Sequence, residues 1–244
     1  MIKQAIIPLA GQGTRLLPLT SVIPKELLPI NGKPGLEYIL DECIESGIKE
    51  IIFIISNKKK IIKKYFYNDN FFIKMIKKKN NKELKTQYLK IKKLKKMIKF
   101  VYQNSPRGTG DAVLKCEKYI KSKHFLMLLP DDLIMKTNCS KSMISLYNKF
   151  NTSVIASMKV NKKDVSRWGI FKTKKFIKNN FLITDVIEKP TIKDAPSNYA
   201  VIGRYILPIN IFKILKKQKV GKKVGKECHP MTSRSFPSHL LNLN

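Results

Sequence analysis

Near its N-terminus the chain carries an apolar run, Gln4-Ala5-Ile6-Ile7-Pro8-Leu9-Ala10, that breaks into Gly11-Gln12-Gly13-Thr14-Arg15. Such a run reads as a strand buried on both faces, which needs strands beside it and helices above and below. The chain supplies them. Residues 50–56 form a continuous Ile/Phe run, residues 100–102 read as a short strand, and Phe125-Leu126-Met127-Leu128-Leu129 is the most apolar strand. Between them, residues 36–46 have helical spacing with Gly47 placed to cap it, residues 57–98 read as Lys-rich helices, and a further helix spans about residues 110–119. Strand, helix, strand in repetition predicts an α/β fold with a Rossmann-like, mostly parallel sheet, flanking helices and right-handed crossovers. At 244 residues and 43% hydrophobic, the chain can bury one sizeable core. Ligands on such sheets sit beyond the carboxyl ends of the strands, where the Gly11 loop falls.

Glycine in that loop lets backbone N–H groups approach phosphate oxygens, because no Cβ holds them off. Arg15 follows at once, and Lys25 follows in Pro24-Lys25-Glu26. Two other phosphate loops are excluded. The Walker loop needs Lys-Ser or Lys-Thr where this chain has Thr14-Arg15, and the dinucleotide fingerprint needs a third glycine where it has Leu16. A bare Gly-x-Gly fits a structural turn as well.

Two more loops end strands. In Leu129-Pro130-Asp131-Asp132 a carboxylate lies just past apolar surroundings. Holding it there is costly without a cation; nucleotide-bound Mg²⁺ would satisfy it, and an ordinary Asp-Asp turn is the alternative. Gln103-Asn104-Ser105-Pro106-Arg107-Gly108-Thr109-Gly110-Asp111 reads as a loop that starts a helix. Its backbone can lie against a flat ring, and the Gln103 amide offers one edge of such a ring both a hydrogen and an acceptor; on spacing alone it is a loop with a helix start.

With 49 Lys+Arg against 17 Asp+Glu, the net charge of +32 by itself suggests nucleic acid or an anionic surface. Residues 58–99 hold 17 Lys and 2 acidic residues, interleaved with Ile, Asn, Phe and Tyr, all favoured by A/T-rich codons. A solvated helical face accounts for this better than nucleic-acid binding. No apolar run reaches membrane-spanning length and the N-terminus lacks a signal-peptide layout, so no membrane partner is expected. The four cysteines show no paired metal spacing and read as reduced thiols, which points to the cytoplasm.

The string Gly11-x-Gly13-Thr14-Arg15-x-x-Pro18-x-Thr20, with Ile23-Pro24-Lys25-Glu26, resembles the loop of the sugar-1-phosphate nucleotidyltransferases, most closely their uridylyl-transferring members. Trp168-Gly169-Ile170 is similar to the family's Tyr-Gly-Val, Val186-Ile187-Glu188-Lys189-Pro190 is similar to its Val-Glu-Lys-Pro, and residues 195–205 follow at its spacing. The resemblance covers about residues 3–227 and is weakest over 57–98. It implies a glycosyltransferase-A-like nucleotidyltransferase architecture, with one domain over 1–227 and a Lys-rich helical insertion at 58–99. The activity implied is transfer of a uridylyl group from UTP to glucose 1-phosphate. By resemblance, Ala10, Gly11, Gly13 and Thr14 line the nucleotide, and Arg15 and Lys25 stabilise the triphosphate and the leaving pyrophosphate. Gln103 and Gly108 read the base, Asp131 holds Mg²⁺ with Asp132 as its structural partner, Trp168, Gly169 and Glu188 border the hexose, and Lys189 holds the sugar phosphate.

Composition changes after Gly225-Lys226-Glu227. Residues 228–244 contain no Lys and no Ile, yet hold two of the three His. The family continues there through a helix and a late Asp-x-Gly segment that supplies a second metal carboxylate, and its final helices support homo-oligomer contacts. A shifted reading frame with an early stop and a natural disordered tail both fit this stretch. On the first, an inactive nucleotide-binding remnant stands as the alternative to an active enzyme.

Overall fold

The N-terminal apolar run becomes strand β1 (Gln4–Pro8), with Ala5, Ile6 and Ile7 wholly buried. The computed structural model describes residues 1–79, 81–105, 107–177, 180–217 and 240–243. After β1 come a small hairpin, β2 (Pro29–Ile30) and β3 (Lys33–Pro34), then α1 (Gly35–Glu45) and β4 (Glu50–Ile55). Helices α2 (Lys60–Tyr67), α3 (Asp69–Lys79) and α4 (Lys82–Met97) lead to β5 (Ile98–Tyr102), α5 (Thr109–Leu114) and β6 (His124–Leu128). The second half holds α6 (Cys139–Phe150), β7 (Val154–Lys159), β8 (Gly169–Ile177), β9 (Asn180–Glu188), β10 (Tyr199–Pro208), α7 (Ile211–Lys217) and β11 (Leu240–Leu243).

These strands form one sheet in the order β5-β4-β1-β6-β10-β7-β11-β9-β8. The expected Rossmann-like sheet with flanking helices is therefore present. Its first four positions are parallel, because each strand returns through helices on a crossover: β1 pairs with β4 and β6, and β4 with β5. Strand β10 then runs antiparallel between β6 and β7, and β8 and β9 pair as an antiparallel hairpin. All loops that follow β1, β4, β5 and β6 consequently open on one edge.

Side-chain alternation divides the core. Ile7 of β1 and Ile51, Phe53 and Ile55 of β4 join Leu36, Ile39 and Leu40 of α1 on one face. Ile6, Ile52 and Ile54 meet Ala112 and Val113 of α5 and Phe212 of α7 on the other. Helix α1 ends where Gly47 takes a φ of 79°, with Ile48 N–H returning to Cys43 O at 3.1 Å. That left-handed turn is the reason a glycine stands there.

The Lys-rich helices cover the β4–β5 edge as an amphipathic layer. Ile62 and Phe66 of α2 and Ile91 and Leu94 of α4 are buried, α3 buries none, and Phe53 meets Phe66 and Phe100 with ring centroids 5.8 and 5.7 Å apart. The lysines turn outward or pair locally, as Lys90 does with Glu37 and Asp41 at 2.9 and 2.8 Å. Of the stretch expected as a tail, residues 228–239 and 244 lie outside the described residues. Residues 240–243 form β11, parallel to β7 and antiparallel to β9.

The packing of this layer has a measurable consequence. Phe66→Ala empties a site at the centre of the aromatic cluster and should lower unfolding stability by about 3–5 kcal/mol. Phe71→Ser, on a side chain 60% exposed, should stay within about 0.5 kcal/mol of wild type. Urea unfolding of the two variants checks the contrast.

Candidate functional site

The loop after β1 is built on one obligatory glycine. Gly13 has φ 68°, and a Cβ there would stand 3.1 Å from Thr20 Cγ2. Thr20 Oγ1 donates to Gly13 O at 2.8 Å, which folds the segment back over itself. Gly11 differs: an added Cβ would meet nothing within 4 Å, so the space beside its backbone is open to a close-approaching ligand. Ala10 packs partly against the core beneath, while Thr14 and Arg15 stand exposed on the loop.

A short turn at Lys25–Leu27 then brings Lys25 Nζ to 3.1 Å from Asp131 Oδ2, joining the loop after β1 to the loop after β6. Directly beneath, Lys59 Nζ donates to both oxygens of the buried Glu26 carboxylate, each at 2.8 Å. Burial holds the Lys59 ammonium below the ordinary lysine value; Glu26 pulls against this, Lys25 adds to it and Asp131 opposes it. Adjacent residues of one turn thus carry a buried ion pair and a half-exposed one.

Asp132 turns away from its neighbour, and its Oδ2 accepts the Gly203 N–H at 2.7 Å. A Cβ at Gly203 would lie 2.5 Å from Leu129 Cβ, so β10 can pass this close to the loop only as glycine. The next residue, Arg204, is wholly buried; it donates to both Glu42 carboxylate oxygens and, through its other terminal nitrogen, to Leu129 O at 3.2 Å and Gly203 O at 3.0 Å. Glu42 also accepts from the Ser140 hydroxyl and N–H. The peptide leading to Asp131 is therefore fixed from α1, α6 and β10 together.

On the far strands, register pairs Gly169 with Glu188. A Cβ on Gly169 would stand 3.0 Å from Glu188 Oε2, and Lys189 N–H donates to Trp168 O at 2.9 Å. Lys189 adopts φ 47°, an uncommon conformation for a non-glycine residue. The structure thus brings Trp168, Gly169, Glu188 and Lys189 together. Burial pushes the Tyr205 phenol up, and the Asp132, Glu188 and Asp131 carboxylates add to that push. All three lie within electrostatic reach of one side chain, which links the β9 end to the β6 loop.

The expectation for Gln103 needs correction. Its amide nitrogen donates to Gly108 O at 3.1 Å and to Asp111 Oδ2 at 2.7 Å, so both hydrogens are engaged. The amide has no hydrogen left for a uracil carbonyl and retains only its acceptor, Oε1. Gly108, at φ 89°, caps the helix that carries Asp111.

Among the described residues no group of three or more His, Cys, Asp or Glu side chains could hold a metal ion. Asp131 offers one half-exposed carboxylate, with Oδ2 on Lys25 Nζ. That donor set suits Mg²⁺, which takes one or two protein carboxylates and fills its other positions with phosphate oxygens and water. The sequence did not single out Lys59, Glu42, Arg204 or Asp111, whose side chains hold these loops from beneath or beside them. Lys59 stands inside Lys58-Lys59-Lys60, where nothing local separates it from surface lysines.

A family model described as nucleotidyl transferase matches residues 4–238. The UTP–glucose-1-phosphate uridylyltransferase of Streptococcus pyogenes is 39% identical over 229 residues, covering 90% of this chain and 74% of its own. A crystal structure of a UDP-glucose pyrophosphorylase complexed with UDP-glucose superposes with TM-score 0.84 at 33% identity, over 100% of this chain and 90% of its own. A UTP-bound UGPase from Acinetobacter baumannii superposes with TM-score 0.89 at 29% identity, over 100% and 86%. No helix among the described residues is long and apolar enough to cross a membrane.

The buried pair beneath Lys25 yields a stability test. Lys59→Met strands the Glu26 carboxylate and should cost about 3–5 kcal/mol of unfolding free energy. The exposed neighbour is the control: Lys58→Met should change it by less than about 0.5 kcal/mol. Equal losses in the two variants, measured in urea, would contradict the assignment.

Proposed function

The chain belongs to the nucleotidyl transferase family, and from that premise we propose that it transfers the uridylyl group of UTP to glucose 1-phosphate. A phosphate oxygen of glucose 1-phosphate attacks the α-phosphorus of UTP in line. The bond from that phosphorus to the bridging oxygen of the β-phosphate breaks, pyrophosphate leaves and UDP-glucose forms. No covalent protein nucleophile is required, so the protein's work is positioning and charge neutralisation.

The observation that carries the reading is the 3.1 Å contact between Lys25 and Asp131, which unites a glycine phosphate loop with a carboxylate at the ends of neighbouring parallel strands. On this reading, Gly11, Gly13 and Thr14 offer backbone N–H groups to the triphosphate, with Ala10 supporting the loop. Arg15 and Lys25 neutralise the β- and γ-phosphates as charge builds on the leaving group. Glu188 accepts from sugar hydroxyls against Trp168 and Gly169, and Lys189 holds the attacking phosphate as a point charge. Asp131 would hold Mg²⁺, which when bound neutralises phosphate oxygens. Gln103 accepts the base N–H through Oε1, a contact that uracil and thymine satisfy equally. Residues 1–227, with the Lys-rich helices as an insertion, act as one catalytic domain whose sheet is joined by β11.

Mixing the chain with UTP, glucose 1-phosphate and Mg²⁺ should release pyrophosphate and form UDP-glucose. Lys25→Ala and Asp131→Ala should each lower turnover at least ~100-fold, the scale of losing one transition-state donor. UTP binding without pyrophosphate release by the wild-type chain, or near-normal turnover in either variant, would contradict the proposal.

A further inference from the structure

The loop after β5 contains a contact that the proposed transfer chemistry does not use. Gln103 enters that loop with its backbone N–H on Ile55 O at 2.9 Å and its side chain almost buried, at 6% exposure. Asn104 Oδ1 accepts the Asn57 N–H at 3.0 Å, so two consecutive residues tie the loop to the end of β4. From this fixed base the Gln103 amide nitrogen reaches Asp111 Oδ2 at 2.7 Å and Gly108 O at 3.1 Å. Turning the amide over would set its oxygen against a carboxylate and a carbonyl, three acceptors with no hydrogen between them. In a nearly buried place that arrangement is strongly disfavoured.

We infer that Asp111 is a positioning residue for base selection, locking the Gln103 amide so that only its acceptor oxygen is presented to the nucleotide base. The inference rests on the reading that Gln103 faces the base. Uracil and thymine carry a hydrogen on N3 and can donate it to Oε1. Cytosine carries a lone pair on N3, which would meet the Oε1 lone pairs instead. A site built around one fixed acceptor facing N3 disfavours a base whose N3 cannot donate, because the acceptor is left unpaired there. Asp111 touches neither base nor phosphate in this scheme; it acts through Gln103. Its place in the first turn of α5 suits an anionic side chain, since backbone N–H groups at a helix start favour negative charge. A residue lacking an acceptor there would leave Gly108 O alone to orient the amide.

The test is equilibrium binding of UTP and CTP to the full chain in Mg²⁺, by calorimetry, with melting temperature as the check on folding. In Asp111→Leu, and likewise in the smaller Asp111→Ala, the ratio of UTP to CTP affinity should fall about tenfold, the loss of one charge-assisted orienting hydrogen bond. Asp111→Asn keeps an acceptor oxygen and should hold the ratio within roughly threefold of wild type. dTTP should follow UTP in every variant. Folded Leu and Ala variants with the wild-type ratio would overturn the inference, as would an Asn variant that loses the ratio as fully as Leu. A wild-type chain that binds UTP and CTP alike would instead overturn the placement of Gln103 at the base.

Discussion

Lys25 and Asp131 meet across the edge of the sheet, and the site depends on that meeting. One residue belongs to the loop after β1 and the other to the loop after β6, so their contact fixes where the glycine loop lies relative to the carboxylate. The ion pair itself is half exposed and contributes little stability alone. Its position is set from below, where Glu26 is held by Lys59 through two bonds of 2.8 Å in the interior. A buried pair of this kind is weak support for overall stability, yet breaking it is costly because it strands a charge. The consequence is local rigidity in the turn that carries Lys25.

The same logic holds the other wall. Asp131 follows a peptide that Arg204 fixes through Leu129 O, while Arg204 is neutralised by Glu42 of α1. Strand β10 runs antiparallel beside β6, so Gly203 and Arg204 arrive at the end of β6 from the opposite direction. Tyr205, next on β10, senses the carboxylates of Asp132, Glu188 and Asp131. One strand therefore braces the carboxylate loop and links it to the sheet edge that carries Glu188 and Lys189. The fold positions polar groups at the open edge by burying charge behind them in matched pairs.

Much of this was legible in the residues. Continuous apolar runs announced β1, β4 and β6, and the glycine loop and Asp131 were placed at strand ends by the runs before them. Helix α1 and its Gly47 cap followed from spacing, and Lys-rich helices were expected over 57–98, whereas the inward side formed by Ile62, Phe66, Ile91 and Leu94 came only with the structure. Four further things were hidden. The partner of Lys25 lies 106 residues away, a separation that no local pattern encodes. Lys59 is chemically indistinguishable in sequence from Lys58 and Lys60; only the burial of Glu26 beside it singles it out. The Gln103 amide was read as both donor and acceptor because its competitors, Gly108 O and Asp111, become visible only when the loop closes. The antiparallel return of β10 belongs with these, since it depends on the later strands pairing beyond β6.

The account stands on Lys25 and Asp131 acting on one bound triphosphate as a coupled pair. A double-mutant cycle on UTP affinity in Mg²⁺, with Lys25→Met, Asp131→Asn and both together, measures that coupling directly. The two effects should fail to add by about 0.5–3 kcal/mol, as for residues that share a partner. Effects that sum to within about 0.3 kcal/mol would mean that the two residues serve UTP independently, and would contradict a single site at the sheet edge.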